Sequence, residues 1–169
     1  AKLGAMCLGM GRAALGEAVR YAKTRTAFGR PLAALGAIQH KLAEMTARLW
    51  AVESMVYRTA HLLHALDPEF ALECSILKVV GSETLGYVTD EAVQVFGGYG
   101  FTADYPVERY YRDARVFRIF EGTNEINRIL IGNLLFKRDV FAQAADGRGE
   151  LAPARQAIEA LCHAARQRF

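Results

Sequence analysis

One carboxylate is placed for chemistry. In Phe117-Arg118-Ile119-Phe120-Glu121-Gly122-Thr123-Asn124-Glu125-Ile126 an apolar run ends in Glu121. Gly122 follows with the freedom to turn the backbone sharply. Thr123 or Asn124 can then cap a new helix, on which Ile126, Ile129, Leu130 and Leu134 are spaced to face inward. Glu125 falls in the first turn, where a negative charge suits the helix dipole. Glu121 is therefore expected at a loop-to-helix junction among Phe117, Ile119 and Phe120. Apolar neighbours raise a carboxyl pKa and a nearby helix start lowers it, opposed pressures by which a general base is tuned. The same residues also read as a plain helix-start turn over a core, and local chemistry leaves both accounts open.

Other constellations are weaker. Gly97-Gly98-Tyr99-Gly100 lets a backbone press against a ligand, but it lacks the GxGxxG spacing and a preceding strand, so a helix cap and turn is the better reading. Arg109, Arg112, Arg115 and Arg118 recur every third residue, with Glu108 and Asp113 interleaved. Salt bridges at a subunit or domain contact account for them better than nucleic acid does. His61 and His64 share a helix side, but they are too few for a metal and the Glu-x-x-His pairs of di-iron bundles are absent. No metal site is expected. Arg25 and Phe28 fall at a helix end, where a cation and a ring can grip a nucleotide, though locally an exposed arginine and a core phenylalanine is the better reading.

These residues hang on a helical frame. Leu3, Met6, Met10, Ala14, Ala18 and Tyr21 keep a 3.6-residue period over about 3–27, until Phe28-Gly29-Arg30-Pro31 breaks it. The pattern is already under way at the first residue, as though cut from a longer protein. Ile38, Leu42, Met45, Leu49, Val52 and Val56 form a bundle seam in a second helix over about 37–66. Asp67-Pro68 ends it. A third runs over about 69–96 with Leu72, Ile76, Val79, Val88, Ala92 and Val95 inward, and Gly81 and Gly86 mark a close approach or a bend. Gly97 is placed to end it left-handed. A short helix fits 106–114, and the fourth long helix starts near Thr123 and reaches about Arg138. The expected fold is all-α, an antiparallel up-down four-helix bundle over 1–145, with 146–169 a linker and short helix.

Composition sets wider bounds. With 52% hydrophobic and 23% charged residues the chain reads as an ordinary globular protein, and a net charge of +3 argues for neither nucleic acid nor membrane. No apolar run is long enough to span a bilayer, although membrane association stays open. Ala1 to Ala22 lacks the layout of a signal peptide. The expectation is a protein that is not secreted, cytoplasmic in a bacterium or mitochondrial in a eukaryote. Cys7, Cys74 and Cys162 are odd in number and scattered, which fits free thiols in a reducing compartment.

The motifs also occur in a telling order: Arg25-Thr-Ala-Phe-Gly-Arg-Pro31, Ile38-Gln-His-Lys-Leu-Ala-Glu-Met45, Gln94-Val-Phe-Gly-Gly-Tyr-Gly-Phe101, Tyr105-Pro-Val-Glu-Arg109, Arg112-Asp-Ala-Arg115 and Ile119-Phe-Glu-Gly-Thr-Asn-Glu-Ile126. Over roughly residues 1–138 the set resembles the C-terminal helical domain of acyl-CoA dehydrogenases. The Ile-Phe-Glu-Gly-Thr-Asn form, with Gly36 where many members carry glutamine, looks closest to the very-long-chain branch. Residues 150–169 then correspond to the start of that branch's C-terminal extension.

The resemblance implies a flavoprotein that oxidises fatty acyl-CoA to trans-2-enoyl-CoA and passes electrons to an electron-transfer flavoprotein. Glu121 matches the catalytic base, and its backbone N–H matches a donor to the thioester oxygen. Phe120 and Gly122 match positions lining the acyl thioester. FAD in this family lies between subunits of a homodimer or homotetramer. Arg25, Phe28 and Gln94, Val95, Phe96, Gly97 and Gly98 match a neighbouring subunit's contacts to its adenine and pyrophosphate half. Thr123, Asn124 and Glu125 match contacts beside the base. Leu35 and Gly36 depart from the family pattern, and no FAD contact is carried onto them. The family's N-terminal helical and middle β domains have no counterpart in these residues, so the fragment alone is expected to be inactive. An acyl-CoA oxidase of the same fold, and a helical scaffold without catalysis, remain alternatives.

Overall fold

The computed structural model describes residues 1–66 and 70–145, with side chains through residue 138. The predicted stop at Asp67-Pro68, the segment 146–169 and Cys162 lie outside the described residues. Five helices account for most of the described chain: α1 (Lys2–Thr24), α2 (Gly36–His64), α3 (Phe70–Phe96), α4 (Val107–Ala114) and α5 (Asn124–Ala145). Helix α3 is the axis, with α1, α2, α4 and α5 all packed on it.

Cross-helix contacts fix the directions. Arg12 meets Glu53 at 2.6 Å and Arg58 meets Glu73 at 3.1 Å, while Lys41 pairs with Glu91. Helix α2 is therefore antiparallel to α1 and to α3. The predicted seam is real: Met45, Leu49 and Val52 are buried, and Ile38, Leu42 and Val56 pack at its edges. They face Leu77, Val88 and Ala92 of α3 and the stripe Ala14, Ala18 and Ala22 of α1. Small residues on α1 let its backbone sit close, as at Gly4, where a Cβ would collide with Leu77. Helix α3 runs unbroken through Gly81 and Gly86, so these mark close approach. Gly81 faces the Gly4 backbone, and the Arg118 guanidinium lies where a Gly86 Cβ would go.

The connection from α3 to α5 runs over residues 97–123, with α4 as the expected short helix and a 3₁₀ turn on either side of it. Two expectations change. Met6 is 47% exposed and Cys7 fills the buried position instead, because the true period places 3, 7, 14 and 18 inward. Most consequentially, α5 presents a different face from the predicted one. Ile126, Ile129 and Leu130 are exposed, and Asn124 and Asn127 are buried at 2% and 8% exposure. The reason is what α3 offers at that level, Lys78, Ser82 and Glu83, which asks for polar partners.

The break after α1 is a small hairpin, β1 (Thr26–Ala27) antiparallel to β2 (Arg30–Pro31). Phe28 and Gly29 at its tip have φ of 54° and 77°. Two left-handed residues match the twist of a two-residue hairpin, a job usually given to Asn-Gly, which is why the sequence did not announce it.

Candidate active site and cofactor surface

The Glu121 turn is built on two consecutive left-handed residues, Glu121 at φ 53° and Gly122 at φ 82°. Gly122 takes this freely, whereas Glu121 bears a cost of about 1–2 kcal/mol. Such strain persists only where neighbours over-determine it, and it concentrates at functional sites. Here the neighbours are explicit. Asn127 Nδ2 donates to the Gly122 and Thr123 carbonyls at 2.9 and 3.1 Å. Thr123 Oγ1 accepts the Ile126 N–H at 3.4 Å and so caps α5. Glu125 stands in the first turn as predicted, its carboxyl held below the usual range by its own backbone N–H and the Thr123 hydroxyl.

The turn presents Glu121 outward. Its carboxylate is exposed, as are Ile119, Phe120 and Gly122, and only Phe117 of the predicted enclosing residues is buried. The expected apolar enclosure of Glu121 is therefore not supplied by these residues. The Glu121 backbone N–H donates to no acceptor among the described residues, which leaves a fixed donor beside a fixed carboxylate. That pairing suits a reaction in which a proton leaves one atom while charge grows on a neighbouring oxygen.

The second surface lies where α1 and α3 end. Arg25, Val95, Phe96, Gly97 and Gly98 line an open cavity of about 460 Å³ with Tyr21, Leu32, Tyr99 and Thr102. Its floor is aromatic. Tyr21 stacks on Phe96 at 4.0 Å between ring centroids, and Tyr105 meets both edge-on. Gly97 ends α3 at φ 61°, as predicted. The Arg25 guanidinium sits 5.5 Å from the centre of the Tyr99 ring. Phe28, at the hairpin tip, is 91% exposed, so the core reading of this residue fails. Gln94 is exposed and borders a neighbouring cleft with Asp90, Phe101 and Arg112.

A cation, open glycine backbone and an unburied ring suit a phosphate and a planar base. The two surfaces are far apart. Glu121 borders a cavity with Lys78, Arg25 borders one with Phe96, and the stretch of α3 from Lys78 to Phe96 rises about 27 Å at 1.5 Å per residue.

A profile of one protein family, "Acyl-CoA dehydrogenase, C-terminal domain", matches residues 1–136. The chain belongs to that family. A probable acyl-CoA dehydrogenase of Bacillus subtilis is 43% identical over 155 residues, covering 81% of this chain and 26% of the relative. The structure of butyryl-CoA dehydrogenase from Megasphaera elsdenii superposes with a TM-score of 0.77 at 41% identity, covering 79% of this chain and 35% of that one. An acyl-CoA dehydrogenase from Bacillus anthracis, solved in complex with FAD, gives 0.77 and 41%, covering 88% and 28%. The chain thus spans about a third or less of the relatives it matches.

Within this acyl-CoA dehydrogenase domain the structure adds residues that the motifs passed over. Asn127 bonds the Glu121 turn directly, and Lys78, Ser82 and Glu83 anchor Asn124 at the start of the helix that follows it. Lys78 had a signal, a lysine inside the apolar run Ile76-Leu77-Lys78-Val79-Val80. Asn124, matched to a cofactor contact, turns its side chain into this network and is 2% exposed. Of the arginine row, Arg112 pairs with Glu108 and Arg118 lies over Gly86.

Proposed function

We propose that the chain is the catalytic C-terminal domain of an FAD-dependent acyl-CoA dehydrogenase that converts fatty acyl-CoA to trans-2-enoyl-CoA. Glu121 takes the α-proton, and its backbone N–H steadies the charge that grows on the thioester oxygen. Phe120 and Gly122 border the acyl group. FAD, when bound, supplies the hydride acceptor for the β-hydrogen. The observation that carries this reading is the strained, outward-facing Glu121 with its unspent N–H. Support for FAD comes from Arg25 and the Gly97-Gly98 backbone, which line one open cavity suited to a pyrophosphate, and from the exposed Phe28 ring three residues beyond Arg25.

The rise of about 27 Å along α3 between the two surfaces bears on assembly. A flavin reaching Glu121 with its ring is best served at its other half by Arg25 and Phe28 of a second copy. The exposed Ile126, Ile129 and Leu130 beside Glu121 suit cover from elsewhere in the complete protein. We assign electron-transfer flavoprotein as the acceptor on the family resemblance.

The test is single-turnover flavin bleaching by acyl-CoA in the complete enzyme. Glu121→Gln keeps shape and FAD but removes the accepting lone pair. Bleaching should slow by at least about 10²–10⁴-fold. Bleaching within about threefold of the parent removes Glu121 as the base.

A further inference from the structure

Lys78 stands where α3 calls for an apolar side chain. It is 6% exposed, and its Nζ donates to Asn124 Oδ1 at 2.6 Å. Asn124 opens α5, three residues past Glu121, and is 2% exposed. Its Nδ2 donates onward to Ser82 Oγ at 3.0 Å and Glu83 Oε1 at 3.1 Å. Glu83 in turn accepts from Arg128 at 2.7 Å. Lys78 and Glu121 border one cavity of about 160 Å³, with Gly4, Cys74, Ser75 and Asn127.

Stability alone does not ask for this lysine. Burial holds its pKa below the ordinary lysine value, while Cys7 from α1, Glu125 from α5, Glu121 from the turn and Glu83 from α3 act the other way. A methionine would fill nearly the same space without the cost of desolvating an ammonium. Asn124 Oδ1 would still have the Ser82 hydroxyl, at 3.2 Å, so no buried acceptor would be orphaned.

We propose that Lys78 is a positioning residue for Glu121: through Asn124 it fixes the start of α5, and so the left-handed turn that holds the carboxylate over their shared cavity. This rests on the reading of Glu121 as the base.

The experiment uses the complete FAD-loaded enzyme and Lys78→Met, with Glu121→Gln beside it. In Lys78→Met, single-turnover bleaching should slow about 10- to 100-fold, the scale on which a misplaced catalytic group loses rate. FAD content should hold and Tm should stay or rise. Amides of residues 119–126 should exchange faster. The loss should fall on the chemical step, with the acyl-CoA concentration for half-maximal bleaching within about threefold of the parent. Lys78→Arg should recover part of the rate. Lys78→Gln keeps a donor for Asn124, so it should retain more of the rate than Lys78→Met, with less change in exchange.

Bleaching within threefold in Lys78→Met overturns the proposal. So does a slowed variant whose Tm and FAD content fall together with no recovery in Lys78→Arg, and so does failure of both Lys78→Met and Lys78→Gln to fold, since each makes Lys78 structural. If Glu121→Gln itself bleaches like the parent, the base assignment has failed instead, a separately readable result.

Discussion

The two ends of α3 solve different problems. Beneath Glu121 the interior is polar: Lys78, Ser82, Glu83, Asn124 and Asn127 tie the turn through hydrogen bonds of 2.6 to 3.1 Å, and the outside is apolar. Beneath Arg25 and Gly97 the interior is aromatic, with Tyr21, Phe96 and Tyr105 in contact, and the outside carries the charge. A proton acceptor must be held to fractions of an ångström, which directional bonds achieve. A phosphate grip needs charge and open backbone, for which a flat aromatic floor and a long flexible guanidinium suffice. On this view the first end controls rate and the second controls retention of the cofactor.

That division can be broken by experiment. Co-assembling Glu121→Gln subunits with Arg25→Ala subunits gives the largest contrast. If each flavin draws Glu121 from one copy and Arg25 from another, mixed assemblies contain fully parental sites, and at FAD concentrations too low to fill Arg25→Ala sites bleaching returns from near zero to a clear fraction of the parent rate. No recovery means that both ends serve one flavin within one chain. Next, Arg25→Ala alone should weaken FAD retention by about 10- to 100-fold, the loss of one charge-assisted hydrogen bond. FAD-saturated Arg25→Ala should bleach within about threefold of the parent. A slowed chemical step there would merge the two ends.

A subtler pair uses two left-handed glycines. Gly122→Ala and Gly97→Ala each force φ values of 82° and 61° on an L residue, at about 1–2 kcal/mol apiece. Gly122→Ala also crowds Asn127 Nδ2, 3.1 Å from the new Cβ, and should slow bleaching while FAD stays bound. Gly97→Ala meets open space and should weaken FAD without changing the rate at saturation.

The smallest effect is at the thiols. Burial pushes the Cys7 thiol up from 9.0 to about 12, against a lowering influence of Lys78. It should resist alkylation at pH 8, while half-buried Cys74 at the edge of the Glu121 cavity reacts, as peptide mapping would show. The folded state holds the Cys7 proton more tightly than the unfolded one. That stability is present below pH 9 and lost as pH rises from 9 toward 12, so Cys7→Ala should flatten the alkaline fall. Equal alkylation of both thiols would contradict the burial.

Much of this was legible in the chain because it is local. The α2 seam, the Thr123 cap, the left-handed Gly97 and Gly122, and the acid in the first turn of α5 depend on residues within one or two helical turns of each other. The resemblance to acyl-CoA dehydrogenases was legible for the same reason, since each motif is a short ordered string. What the chain did not disclose depends on the neighbour an element meets. Period alone turned Ile126, Ile129 and Leu130 inward, yet the polar patch Lys78-Ser82-Glu83 selected Asn124 and Asn127. Phe28 looked like core until the hairpin carried it into solvent. Lys78 acquires meaning only because α1, α3 and the turn before α5 enclose it, and the distance between Glu121 and Arg25 exists only once α3 is a straight rod between them. Hydrogen-bond periodicity and backbone freedom are written residue by residue, whereas burial, charge environment and separation are properties of pairs that the sequence keeps far apart.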